Sequence, residues 1–528
     1  MQGPLNRSPS RRLQAVPNWL LILSAGILTV AAFPPLPLGF LAYFSLTPLM
    51  LLFIKEDYHL GFEKGYLFGL LLNLGIMYWL ALNKGTQWYW ATLSMLAAVL
   101  FLALNYGLIG YLVGLIGRRW GRLAGLWSWP LVWVSVEYLR SFGKLGFTWN
   151  NICYTQSSAT QLIQIAALVG ANGIGFFILL VNVLLVSAWL QAGQARRRVL
   201  RPVLGIIGLF LFLESYGALA LQRSDRRAAD REVHVALIQP NVDPNEKWTQ
   251  GAFREVMQLL HDLSDSAAAA PRDLIVWPET ATPTYLRRNR GRELDRIYRH
   301  FRELDCYLLT GVPDYEFLDE NRYNVYNATF LLDPYRRTLA SYRKMQLVPF
   351  GEYIPLAELF PGLNELNLGQ GLFQPGDSAT LFKIPLRVAG ERMGGDTLAF
   401  SSVICYESTF PAVVRAGIRK GAELLIIVTN DAWYGNNSAP YLHMEIARFR
   451  AIEHRVPVVR SANTGISCIC DAQGRILKRL EFDRRGWLAA GLKPGGTGTI
   501  YTRFGNWFAV LNVIGLTVIL AICLLRRK

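Results

Sequence analysis

Glu279 in IVWPET, Lys344 in SYRKMQLVPFGEY and Cys405 in SSVICYES each close a stretch that reads as a β-strand. A carboxylate base, an ammonium facing an oxyanion and a thiol nucleophile are what acyl transfer through a thioester requires. None is diagnostic singly, because free cysteine is a common core residue, a glutamate can cap a helix and a lysine can be plain surface charge. Cys405 is further marked by its place between an apolar strand and a helix, where N-terminal amides stabilise a thiolate or an oxyanion. Asn430 and Asp431 close another apolar run, LLIIVT.

The elements that must position these residues lie from 233 onward. VHVALIQP, DLIVWPE, CYLLTGVPD, YNATFLLDP and TLASYRKM read as strands, with helices near 246–266 and 291–304 between them. The pattern resumes with LAFSSVICYE, ELLIIVTND, VPVVRSAN and ISCICDAQG, separated by helices near 409–420 and 441–455. Alternation of this kind predicts an α/β layered domain, and near-continuous apolar strands predict sheets covered on both faces. Strand ends are where such sheets present ligand loops. No GxGxxG or GxxxxGK[ST] marks a nucleotide site.

With 52% hydrophobic and 17% charged residues, the 528-residue chain is too apolar for an ordinary soluble enzyme. Apolar runs near 18–33, 38–54, 65–82, 90–117, 124–140, 167–190, 200–221 and 506–525 are of membrane-spanning or nearly spanning length. Arg7, Arg11 and Arg12, Lys55 and Lys64, Arg118, Arg119 and Arg122, Arg196, Arg197, Arg198 and Arg201 fall in alternate links, and Arg526, Arg527 and Lys528 end the chain. The excess of basic residues inside then predicts a cytoplasmic segment 1–16, a membrane domain 17–221 with seven spans, an extracytoplasmic domain 222–505, a last span 506–525 and a cytoplasmic tail 526–528. The basic start and Val30-Ala31-Ala32 leave a cleaved signal peptide as an alternative.

The net charge of +16 sits largely in links between spans, which argues against a nucleic-acid partner. Six cysteines without a CxxC pair, and six histidines without HExxH, indicate neither a disulfide framework nor a catalytic metal, and no cofactor is expected. In the outer link 146–156, Trp149 and Tyr154 read either as an interfacial belt or as the rim of a groove for lipid, and Glu137 and Asn172 fall within or beside spans. The low-charge insertion 355–376 reads either as a packed lobe or as an apolar lid over an acyl chain, and Trp248 has the same two readings.

Tyr406 and Glu407 directly follow the thiol, and Glu352 comes eight residues after the lysine. This ordered set resembles the nitrilase superfamily of carbon-nitrogen hydrolases over about 233–490. Fused behind seven apolar spans and before an eighth, and carrying ALIQPN, WPET, K-x-x-LVPFGEY-x-P, ICYE, NDAWYG and RAIEHRVPVVRSANTGIS, the chain is similar to the apolipoprotein N-acyltransferase family of the bacterial inner membrane. The resemblance implies an αββα sandwich on the periplasmic side, both termini cytoplasmic, with Glu279 as general base, Cys405 as nucleophile and Lys344 at the oxyanion. It implies supporting roles for Trp248, Glu352, Tyr406 and Glu407, a phospholipid as acyl donor, and a diacylglyceryl-modified apolipoprotein as acceptor. Thr148 and Leu442 depart from the family pattern, and His443 reads as a satisfied structural histidine. A membrane-anchored amidase releasing a small amide's acyl group to water, and a transporter or receptor with a binding domain, are the rival readings.

Overall fold

Apolar runs of membrane length have no means of satisfying their peptide groups in hydrocarbon except by coiling into helices. A computed structural model describes residues 11–192, 196–227, 231–249, 251–287, 293–320, 322–335, 338–355, 372–386, 397–496 and 498–525. The stretch 356–371 of the predicted lid, most of the amino-terminal segment and the tail 526–528 lie outside the described residues. The chain divides into two compact units, Met1–Ala81 with Thr92–Gln222 and Phe504–Lys528, and Leu82–Ala91 with Arg223–Arg503.

The first unit is helical. Among the described residues, Gly61–Leu82, Trp88–Trp120, Leu162–Leu190, Arg197–Arg223 and Trp507–Leu525 are long and apolar enough to cross a membrane. Asn18–Ala31 and Gly39–Lys55 are shorter apolar helices, and Arg122–Leu139 is a further helix. Small residues let two of these backbones touch: a Cβ on Gly65 would lie 2.2 Å from the Tyr106 carbonyl oxygen, and one on Gly61 2.3 Å from that of Gly110. Spaced four apart, such residues form the close-packing seam favoured where lipid removes the hydrophobic drive between helices.

The link 146–156 is held by polar bonds. Glu137 Oε1 accepts from the Ile152 amide at 3.0 Å, Arg140 Nη2 donates to Asn151 Oδ1 at 2.7 Å, and Asn150 Nδ2 donates to Asn73 Oδ1 at 2.5 Å. Trp149 and Tyr154 are buried, so neither ring stands at an exposed rim or belt. Glu137 is buried too, and its bond to the link is the kind of partner an intramembrane carboxylate needs.

The second unit contains two six-stranded sheets among its described residues. The first runs in the order β12 (Gly486–Leu492), β1 (Val233–Gln239), β2 (Leu274–Val276), β3 (Tyr307–Phe317), β4 (Tyr323–Asp333), β5 (Thr338–Arg343). The second runs β11 (Ile476–Leu480), β10 (Ser467–Cys470), β9 (Val458–Ala462), β8 (Leu424–Thr429), β7 (Thr397–Ile404), β6 (Leu381–Pro385). In each sheet the central strands pair in parallel, β1 with β2 and β2 with β3, β7 with β8 and β8 with β9.

Successive side chains on these strands serve two different cores. Val235, Leu237, Val276 and Leu309 meet Phe400, Ile404, Ile426 and Val428 between the sheets. Ala236, Ile238 and Ile275 face outward against Val256, Met257 and Leu260 of α1 (Ala252–Ala267) and Ile297 and Phe301 of α2 (Glu293–Glu303). Val403, Leu425 and Ile427 likewise pack on Val414 of α3 (Pro411–Arg419) and Met444, Ala447 and Ala451 of α4 (Ser438–His454). Burial on both faces is why the central strands carry no polar alternation, and the result is a four-layer αββα stack.

Two differences from the sequence reading bear on the site. Strands β6, β11 and β12 were not foreseen. The first helix starts at Ala252 rather than near 246, because Asp243 turns the chain: its carboxylate takes the Asn245 amide at 2.8 Å and its carbonyl the Lys247 amide at 3.1 Å. Lys247 and Trp248 are thereby left on a loop.

Candidate active site

Each of the three residues singled out above follows a strand, and the fold brings those strand ends together. Glu279 lies three residues past β2, on a turn laid flat over β3 at Gly311. Gly311 donates its amide to the Pro278 carbonyl at 3.1 Å and accepts the Ala281 amide at 2.8 Å. Lys344 follows β5 directly, its amide bound to the Asn327 carbonyl of β4 at 2.8 Å. Cys405 follows β7, with a left-handed φ of 51°. Backbone strain at a non-glycine residue of this kind costs about 1–3 kcal/mol and needs surroundings that impose it.

The carboxylates and the ammonium form one buried cluster. Lys344 Nζ lies 2.8 Å from Glu352 Oε1 and 3.7 Å from Glu279 Oε1. Asn327 Nδ2 donates to both acids, at 2.7 Å to Glu279 Oε1 and 3.0 Å to Glu352 Oε1. The Val348 amide donates to Glu352 Oε2 at 2.9 Å, so that acid is fixed from both ends. Burial alone would lower the Lys344 ammonium, yet Glu352, Glu279 and Cys405 outweigh it and hold this lysine charged, well above its ordinary value. Burial raises Glu279; Lys344 and the Asn327 bond oppose the rise, while Glu352 and Asp431 add to it.

Burial and the charge of Glu279 push the Cys405 thiol up, and Lys344 only partly offsets them. The resting sulfur is therefore a thiol. A thiol beside a buried carboxylate needs that carboxylate to take its proton when it attacks.

Glu407 is fully buried and ties the lysine loop to the cysteine strand. Its Oε1 accepts from Tyr342 Oη at 2.7 Å and from the Met345 and Gln346 amides at 2.6 and 3.0 Å, and its Oε2 accepts from the Ile404 amide at 2.8 Å. Tyr406 is buried edge-on against Phe410, their ring centroids 5.0 Å apart. Trp248 stands 54% exposed on the loop after β1.

Beneath Cys405 lies a second cluster. His443 Nε2 is 3.1 Å from the Cys405 carbonyl oxygen and 2.9 Å from Ser408 Oγ, while its Nδ1 is 3.0 Å from Asp431 Oδ1. Arg460 Nη2 donates to Asp431 Oδ2 at 2.8 Å. Despite burial, Arg460 and His443 hold the Asp431 carboxyl far below the usual carboxylate range. The Cys405 sulfur and ligand atoms of Asp431 and His443 lie within 4.8 Å of one another, but the Arg460 guanidinium already occupies the position from which a cation would approach Asp431 and His443.

Sequence reasoning missed Asn327, Arg460 and Lys247. Asn327 had a signal, an amide in the middle of the otherwise apolar run VYNATFLL, where a buried polar side chain requires partners. Lys247 is 3% exposed, beside Thr280.

A carbon-nitrogen hydrolase family model matches residues 234–501, and the apolipoprotein N-acyltransferase N-terminal domain model matches 25–184. The chain is 35% identical over 519 residues to the apolipoprotein N-acyltransferase of Geobacter metallireducens, covering 97% of this chain and 96% of the relative. The proteins of the same name from Methylococcus capsulatus and Chlorobaculum tepidum are 32% identical, covering 96% of both chains, and 30% identical, covering 94% of both. A solved nitrilase-superfamily amidase of Nesterenkonia AN1 aligns at 20% identity over 53% of this chain and 96% of its own, with a TM-score of 0.37. Two family models in tandem, and relatives matched through the helical and the sheet-bearing segments alike, make the chain a member of the apolipoprotein N-acyltransferase family.

Proposed function

We propose that this chain moves a fatty acyl group from a membrane phospholipid, through a thioester on Cys405, to the α-amine of the diacylglyceryl-cysteine that begins an apolipoprotein. The observation that carries the reading is the single buried cluster of Lys344, Glu279, Glu352 and Asn327 with the Cys405 thiol beside it.

In the first half-reaction Glu279 takes the thiol proton as the sulfur bonds to the ester carbonyl carbon. The tetrahedral oxyanion is met by the Lys344 ammonium. Its collapse breaks the ester C–O bond, and the departing lysophospholipid oxygen receives the proton from Glu279. In the second half-reaction the neutral amine attacks the thioester, Glu279 accepts its proton, and collapse returns that proton to the leaving sulfur. Glu352 holds Lys344 in place, Glu407 fixes the lysine loop against the cysteine strand, and Tyr406 and Trp248 are assigned supporting roles.

The reading extends to placement. Eight spans, both termini cytoplasmic and a periplasmic catalytic domain over 222–505 are supported by the alternation of basic links along the sequence and by the apolar helices. A reporter fused after Lys528 should behave as cytoplasmic. A membrane site suits a lipid donor, since each buried CH2 of its acyl chain contributes about 0.8 kcal/mol to staying in the bilayer. The amidase reading is not favoured, because relatives named as N-acyltransferases match the chain along nearly its whole length.

Mass spectrometry of purified protein given labelled phospholipid should find one acyl mass on the Cys405 peptide, removed by hydroxylamine and absent in Cys405→Ser. Equal labelling of both proteins would refute the thioester.

A further inference from the structure

Among the described residues, the buried cluster is short of positive charge. Glu279 and Glu352 share one ammonium, that of Lys344, while Asp431 has Arg460 to itself. Asn327 bridges the two acids but brings no charge. An uncompensated carboxylate in a buried site protonates, and a protonated Glu279 is no base.

Lys247 is a further buried cation beside this cluster. It sits on the loop after β1, 3% exposed, while its neighbour Trp248 is 54% exposed. Its Nζ meets Thr280 Oγ1, on the residue following Glu279, at 3.3 Å, and it has no other side-chain hydrogen bond among the described residues. Burial depresses this lysine to about 7, with Glu279 acting in the opposite direction. A lysine buried for packing alone would be a costly choice.

The loop that carries it is anchored. The Asn241 amide donates to the Asn463 carbonyl at 2.9 Å, Asn463 Nδ2 donates to the Val242 carbonyl at 2.8 Å, and Thr464 Oγ1 donates to Asn241 Oδ1 at 2.9 Å. The same 463–464 turn receives the Asp431 amide on the Thr464 carbonyl at 2.9 Å. Lys247 is thus held by the framework that also fixes Asp431 beneath the cysteine.

We infer that Lys247 is a positioning residue for acyl transfer, the second ammonium of the cluster, which keeps Glu279 ionised and ready to take a proton. Resting on the function proposed above, it deepens that reading by naming what balances the base. The titratable groups that act electrostatically on Glu279 are then Lys344 after β5, Glu352 in the following loop, Cys405 after β7, Asp431 after β8 and Lys247 after β1. Among the described residues of this set, Lys247 and Lys344 are the basic ones. Removing the Lys247 ammonium makes Glu279 hold its proton to higher pH, so the acid limb of the rate profile moves upward.

The test compares wild type with Lys247→Met, Lys247→Gln and Lys247→Arg in full-length, detergent-purified protein whose fold is checked by thermal unfolding. The rate of acyl-adduct formation on Cys405 from labelled phosphatidylethanolamine is measured against pH. In Lys247→Met the midpoint of the acid limb should rise by about one pH unit, and Lys247→Gln should follow it. Lys247→Arg should restore the wild-type midpoint. A folded Met or Gln variant with an unmoved limb overturns the inference, as does an Arg variant that shifts as far as Met. Iodoacetamide alkylation of Cys405 against pH reads the same ionisation without lipid, with the same shift supporting the inference and its absence overturning it. Absence of any wild-type acyl adduct, with that alkylation shift intact, would count against the acyl-transfer reading and not against Lys247.

Discussion

Asn327 shows how much one neutral side chain can settle. With both Nδ2 hydrogens spent on Glu279 and Glu352, it fixes the spacing of two like charges, while its main-chain carbonyl, which any residue would supply, takes the Lys344 amide. Asn327→Leu keeps the volume and removes the donors, leaving the acids to repel across a dry gap. Turnover should fall at least about fivefold, in line with 1–3 kcal/mol for orphaned buried partners, and the folded variant's acid limb should move upward; an unchanged kcat at pH 7.5 would deny Asn327 this role. Glu279 and Lys344 stood out in the sequence because each closes a predicted strand, and Glu352 by its spacing from the lysine. Asn327 and Lys247 did not, since an amide inside a strand and a lysine inside what read as a helix declare their function only when the chain has folded around them.

At the level of elements, the site depends on turns that lie flat on neighbouring strands. A Cβ on Gly311 would come within 2.5 Å of the Pro278 carbonyl oxygen and 2.6 Å of Glu279 Cα, both backbone that cannot swing aside. Gly311→Ala should lift the Glu279 turn off β3, costing about 1–3 kcal/mol as overpacking does. The rate should drop by more than the loss of stability accounts for, measurable as a fall in kcat of folded protein at a temperature well below its midpoint. The central strands were legible because burial on both faces leaves uninterrupted apolar runs. By contrast β11, ILKRL, exposes most of its side chains, and β12, GWLAAGL, is dominated by small residues, so neither carries the bulky β-branched signature on which strand recognition rests.

Across the whole molecule, acid sensitivity should come from histidines held neutral. Burial, with Arg450 and Arg415 nearby, lowers His454 to about 3, and burial with His300 and Arg296 lowers His261 to about 4. A folded value below the unfolded one of about 6.5 means that both contributions are complete above that pH. They fade as pH falls toward the folded values, by up to about 1.4 kcal/mol per pH unit for each histidine. The unfolding midpoint of the purified protein should thus drop between pH 7.5 and 5, less steeply in His261→Gln; a slope identical to wild type would remove His261 from the account. The tandem of long helices and sheet-forming segments was plain in the sequence, whereas the grouping of one short link with the distant sheets was not. The short stretch Leu82–Ala91 belongs with Arg223–Arg503, and its Lys84 amide is bonded to the Trp433 carbonyl at 2.8 Å, two residues past Asp431. Any fragment begun at Arg223 for crystallisation or assay would leave a piece of itself behind, and during synthesis that piece must wait for a partner made some 350 residues later.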